Sequence, residues 1–185
     1  ESDLATYYQE IKYNIFSVPF DIEQRTFGEP RLLIDAESIG MSALLPRISP
    51  DGRYLLFSMA EYGTFHIWHK NSDLYLLDFQ NNTIRSLEEV NSKDTESYHS
   101  WSSNGRWMVF STRRDDGSYT RPYIAYFDEQ GRAGKPFILP QKDPDFHLGF
   151  LKSYNIPEFM KEPVRVSPRK FARTLKGDAI QAVMR

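Results

Sequence analysis

The stretch SPDGRYLLFS at Ser49 to Ser58 returns as SSNGRWMVFS at Ser102 to Ser111. Ser49, Gly52, Arg53, Phe57 and Ser58 recur 53 residues later as Ser102, Gly105, Arg106, Phe110 and Ser111. A second pair keeps the same period: GEPRLL at Gly28 to Leu33 reappears as GKPFIL at Gly134 to Leu139, two periods away. Self-similarity at this spacing marks an architecture of repeated units.

Each unit reads as strands. Asp51-Gly52 and Asn104-Gly105 are dipeptides of the type I′ hairpin, a strong short-range hairpin signal. Strands are predicted after them, over 54–58 and 107–112, and again over Leu74 to Asp78 and Tyr123 to Phe127. A turn at Asn81-Asn82 or Asp128 to Gly131 then leads into a short outer strand such as Pro136 to Leu139. Asn81-Asn82-Thr83 also matches a glycosylation sequon, but it is read as the turn. An aromatic content of 15% suits strands. Four short antiparallel strands in about 50 residues is the pattern of a propeller blade.

Together with Trp101 and with Phe110-Ser111-Thr112-Arg113, the two decapeptides resemble the WSPDG-x-x-(apolar)-x-F-x-S-x-R signature of TolB-like, WD-like β-propeller repeats. The resemblance covers about residues 7 to 140 and is sharp only in the decapeptides. Ile48 stands where the signature has Trp, and Ser103-Asn104 where it has Pro-Asp. The expected fold is all-β, with a half blade at 7–34, full blades at 41–90 and 95–140, and a tail at 141–185. One period before Ser49 falls ahead of residue 1, so the rest of a ring of about six to eight blades is expected from the same polypeptide or a second chain. The resemblance implies a non-catalytic scaffold in the bacterial envelope or periplasm that binds another macromolecule, a protein foremost. Two alternatives stay open: the propeller domain of a prolyl-oligopeptidase-like hydrolase, and a glycan-binding or glycan-cleaving propeller.

Composition narrows the chemistry. The chain has 185 residues, 23 basic against 25 acidic side chains, and no cysteine. Zero Cys removes disulfides, thiolate metal sites and thiol catalysis. A net charge of -2 gives no field that draws nucleic acid, so no nucleic-acid partner is expected. Gly40-Met41-Ser42-Ala43 is not a nucleophile elbow, and the ten glycines form no phosphate loop. No catalytic residue and no cofactor is assigned. His66 and His69, if extended, face opposite ways, so no metal is assigned to them.

What remains is surface, and the resemblance to TolB-like propellers implies that the connections after the central strands, with those entering the innermost strands, lie on one rim of the ring. With Asp78 paired to Asp128, 50 residues on against a period of 53, the connection after the first central strand reads as three residues longer than its counterpart and carries Tyr62, Phe65, His66, Trp68 and His69. Its counterpart carries Arg113, Arg114, Tyr119 and Arg121, and His99 lies near the entry to an innermost strand. Aromatics mixed with Arg are what binding hot spots are made of. These ten are the candidate binding residues, and packing between blades is the competing reading for Phe65 and Trp68.

In the tail, Ser153-Tyr154 sits where Ser100-Trp101 sat one period earlier, with no turn dipeptide after it. That segment either imitates an inner strand or crosses the propeller. Ser167-Pro168 opens a basic amphipathic helix expected over 168–184, with Phe171, Leu175, Ala179 and Val183 on one face. From Val164 onward there are six basic residues and one acid, against 17 and 24 in the rest. Docking of this helix on the acidic propeller is expected, and a membrane partner is disfavoured.

Overall fold

Short strands alternate with tight turns along most of the computed structural model, which describes residues 7–179. β1 (Ile15–Ser17) pairs with β4 (Arg31–Ile34), and β2 (Phe20–Asp21) with β3 (Thr26–Phe27), both antiparallel. A first four-stranded sheet follows in the order β5 (Ser42–Ile48), β6 (Tyr54–Ala60), β7 (Asp73–Asp78), β8 (Thr83–Ser86). A second repeats that order with β9 (Glu96–Trp101), β10 (Trp107–Thr112), β11 (Arg121–Tyr126) and β12 (Phe137–Ile138). Sequential antiparallel neighbours need only short connections.

The repeated decapeptide builds one turn twice. Ser49 Oγ donates to Asp51 Oδ1 at 2.5 Å and accepts from Tyr54 N at 2.9 Å, while Asp51 Oδ1 also accepts from Arg53 N. Ser102, Asn104, Arg106 and Trp107 make the same three bonds. Gly52 N and Gly105 N each close the turn on the Ser carbonyl at 2.9 Å. Only the glycines have positive φ, +75° and +66°, so these are not the expected type I′ turns. They are type I turns with Gly at the fourth position, where the carboxylate or amide side chain stabilises the bend that I′ geometry would otherwise supply.

All seven residues of β6 are buried, because both faces of that strand are covered. Tyr54 and Leu56 point with Leu74 and Leu76 into a core shared with Met108, Phe110, Ala125 and Phe127 of the second sheet. Leu55, Phe57 and Met59 point the other way, onto Ile15, Ile34 and Ala36. The strand period of two thus places each sheet between its neighbours. Phe57 and Phe110 are both fully buried, each in a different inter-sheet core.

Register corrects one spacing. Phe57 lies opposite Tyr75 and Phe110 opposite Tyr123, so the connection after β6 is five residues longer than its counterpart, not three. Phe79 and Phe127, rather than Asp78 and Asp128, are equivalent: their amides donate to Arg53 O and Arg106 O, each at 2.9 or 2.8 Å.

Gly131 is a point of close approach. Its φ is +80°, and a Cβ there would lie 2.7 Å from Tyr54 Oη. The Tyr54 ring is pinned by Phe127 at 5.2 Å and by Arg53 at 4.7 Å. Gly131→Ala should therefore lower stability by about 2 kcal/mol or more, from the left-handed backbone and the displaced ring together. Urea unfolding reads this directly, and an unchanged midpoint would refute the packing described.

After β12 the chain forms α1 (Phe146–Gly149) and α2 (Pro168–Leu175). Ser167 caps α2 through a bond from Lys170 N, as its sequence implies. The helix expected over 168–184 ends at Leu175, and residues 180–184 lie outside the described ones. Nor does it dock as expected: it buries none of its residues, and Phe171 and Leu175 are 51% and 84% exposed.

Candidate functional site

The β6–β7 connection contains a single 3₁₀ turn, His66–Trp68, entered through Phe65 in the left-handed region (φ 53°, ψ 46°). This overturns the extended reading of the two histidines. The turn brings the His66 and His69 rings to 5.6 Å and sends Phe65 and Trp68 outward, 69% and 64% exposed. Neither aromatic packs between sheets. A bulky side chain held at positive φ costs energy and normally needs a reason, and burial is not the reason here.

Trp68 is the centre of the exposed rim. Arg113 lies over its indole at 5.4 Å and is held by Asp94 at 3.5 Å. On one side is a hollow of about 540 Å³ lined by Tyr8, Glu61, Tyr62, Trp68, His69 and Lys70. Its walls are edge-to-face aromatic pairs, Tyr8 on Tyr62 at 5.4 Å and Tyr62 on His69 at 4.7 Å. On the other side is a hollow of about 320 Å³ between Ile67, Trp68, Tyr98, Thr120, Tyr154 and Asn155. That second hollow presents hydroxyl, amide and apolar groups and no charged side chain.

Four candidate residues are placed inside instead of on the rim. His66 is fully buried with Nδ1 3.0 Å from Ser58 Oγ, and His99 is 1% exposed with Nε2 3.1 Å from Leu56 O. Burial, the largest cause, pushes both imidazoles down to about 4. Arg114 pairs with the fully buried Glu96 at 2.9 Å and donates to Val90 O at 2.7 Å. Burial pushes the Glu96 carboxyl up, against the opposing pull of Ser92, Arg114 and Thr112. Arg121 is 2% exposed beneath Tyr119, at 5.2 Å, and donates to main-chain carbonyls of the tail. These long polar side chains are buried because each finds enough partners there.

Tyr62, Trp68 and His69 therefore come together around the larger hollow, and Arg113 lies over the Trp68 indole with its own side chain only 12% exposed. Phe65 projects from the same turn and lines neither hollow, and Tyr119 stands apart over Arg121. Sequence reasoning missed Tyr8, Tyr98 and Tyr154. Tyr98 left no signal in residue type, since the position one period earlier is Leu45, and only the backbone relates the two. Both residues are left-handed, at φ 48° and 56°, and each sits at a register break of its strand, β9 or β5. Such breaks re-aim a side chain out of the ladder.

Sheet order, turn, strand break and inter-sheet core all recur at one period, with each sheet covering the next. These sheets are the blades of a β-propeller. No family model and no curated protein matches the chain. Among solved structures it is similar to TolB from Acinetobacter baumannii at 20% identity and a TM-score of 0.42, covering 68% of this chain and 27% of that one. It is also similar to the β-propeller domain of the trilobed protease from Pyrococcus furiosus, at 18% identity and 0.40, covering 71% and 36%. A third likeness is to the acylaminoacyl peptidase of Pyrococcus horikoshii, at 15% identity and 0.36, covering 69% and 23%. The chain thus spans about a quarter to a third of the length of these three structures.

Among the described residues no group of three His, Asp or Glu side chains is placed to hold a metal ion. No described helix is long and apolar enough to cross a membrane.

Proposed function

We propose that this chain is part of a non-catalytic propeller scaffold of the bacterial envelope whose rim, centred on Phe65 and Trp68, binds a protein partner. The observation that carries the reading is Phe65: a strained backbone holds a large apolar side chain out in solvent. Strain kept without a packing return points to a use in binding. Trp68 and Arg113 beside it are hot-spot residue types, and the flanking aromatic hollows are shaped to receive side chains of a partner. The resemblance of the decapeptides to TolB-like repeats supports the envelope setting.

The test places a photo-activatable residue at position 65, identifies the cross-linked molecule in cells of the source organism, and titrates it in purified form. Trp68→Ala should weaken that binding by about 2 kcal/mol or more. Phe65→Gly should weaken binding while leaving thermal stability unchanged or slightly raised, since glycine relieves the positive φ. Binding unaltered within twofold in both variants defeats the proposal. A glycan as the cross-linked species would favour the sugar-binding alternative instead.

A further inference from the structure

In a ring, each blade offers one face to the blade that follows. On the first blade that face is sealed by the second: His99 Nε2 donates to Leu56 O at 3.1 Å, and Trp101 Nε1 to Arg47 O at 3.0 Å. One period later the equivalent face carries Trp107, Val109 and Ser111, and what lies across its inner half is the tail. Arg121 donates to Lys152 O at 2.7 Å, Phe150 O at 2.8 Å and His147 O at 3.3 Å. Tyr154 N donates to Thr120 O at 3.1 Å, and Thr120 Oγ1 donates back to Tyr154 O. Ser111 Oγ then donates to Asn155 O at 2.8 Å and Ser100 Oγ to Pro157 O at 3.1 Å. Glu158 finishes the crossing on Arg47 of the first blade at 3.1 Å. Beneath it Val109 is 5% exposed and Ser111 fully buried, whereas Tyr126 and Phe137 on the outer half are 45% and 43% exposed.

We infer that residues 147–158 are a strap that takes the place of the next blade's innermost strand and builds one wall of the rim. Ser153, Tyr154 and Asn155 close the smaller hollow against Trp68 and Tyr98. Arg121 is the positioning residue: its guanidinium collects three carbonyls at once, which only a planar fork of donors does well. The functional half of this inference rests on the rim reading above. A partner that buries Trp68 and Tyr154 together holds the strap closed, and strap closure favours that partner equally, because coupling between two sites is reciprocal.

The strap is tested without any partner, so its failure is separable from failure of the rim reading. Ser100→Ala with Ser111→Ala removes two hydroxyl clasps at little cost in volume, and Arg121→Gln removes the fork. Hydrogen exchange of the Tyr154 amide should rise about tenfold or more in the double variant, and further in Arg121→Gln. Relaxation of the Trp68 indole proton by a neutral gadolinium chelate should rise with it, as the wall opens. If Arg121→Gln fails to fold, the serine double variant decides alone. Tyr154 exchange unchanged within twofold, or already unprotected in the unaltered protein, overturns the strap. Faster exchange with unchanged relaxation at Trp68 overturns the wall.

Discussion

Phe110→Ala is expected to lower the unfolding free energy by about 3–5 kcal/mol, the range for deleting a fully buried aromatic. Phe110 has no exposed surface and sits among Tyr54, Leu56, Leu74, Leu76 and Met108, with the Tyr123 ring 6.2 Å away. The core it fills is the one joining the two full blades, so the vacated space is bounded by two sheets that cannot easily close on it. Phe57→Ala is the internal control. Its side chain is equally buried, but its core ends in Ile15 and Ile34 of the two-stranded β1–β4 sheet and Ala36 just after it, a boundary freer to collapse. The loss at Phe57 should fall toward the lower end of the same range. Urea unfolding at neutral pH measures both, and a loss below about 1 kcal/mol at Phe110 would contradict its assignment to the inter-blade core.

What the sequence disclosed follows from what repeats. Ser49, Gly52, Phe57 and their partners one period on are legible because turn and core constraints act on residue type at fixed spacing. The turn class was not legible. Asp51-Gly52 fits I′ geometry by composition, and only the backbone shows which bend is made: Gly52 has positive φ and Asp51 does not, with the Asp51 carboxylate bonded to Ser49 and Arg53. Pairing Asp78 with Asp128 misjudged the connection length because turn-forming Asp is common, while the backbone bonds at Phe79 and Phe127 are specific. The 3₁₀ turn at His66–Trp68 is too short to leave a periodic trace, so His66 and His69 read as extended. Arg114 and Arg121 read as surface because long cations usually are, and their burial depends on carbonyls from distant segments. The strap was the least legible feature. Most of its anchors are main-chain carbonyls of 147–157, and every residue has one.

Acidification should destabilise the fold between pH 6.5 and about 4, through His66 and His99. Both imidazoles are held neutral, with values lowered by burial to about 4 from an ordinary 6.5. His66 also feels His69, whose ring is 5.6 Å away, and His99 feels Arg47. His66 Nε2 and His99 Nδ1 lie buried without a well-formed hydrogen bond, and the nearby backbone of Gly63 and of Leu45 offsets only part of the cost of charging each ring. The unfolded chain takes up protons near 6.5 and the folded one does not, so the unfolded state binds more protons throughout that window. Stability attributable to these groups is therefore complete above pH 6.5 and is lost as the pH falls toward 4, by about 3 kcal/mol for each histidine. Carboxylates that the fold holds below their ordinary range, Asp51, Asp78 and Asp128, add their losses only below about 4. Glu96 and Asp73, whose carboxyls burial holds above their ordinary range, take up protons in the folded state as the pH falls and oppose this loss, so the histidine share is read from the histidine variants and not from the window alone. Urea unfolding from pH 7.5 to 4.5 should show a falling free energy, and replacing either histidine with glutamine should flatten the slope. Ring-proton chemical shifts give the direct reading: an imidazole of His66 or His99 that titrates in the folded protein at 6.5 or above would remove this account.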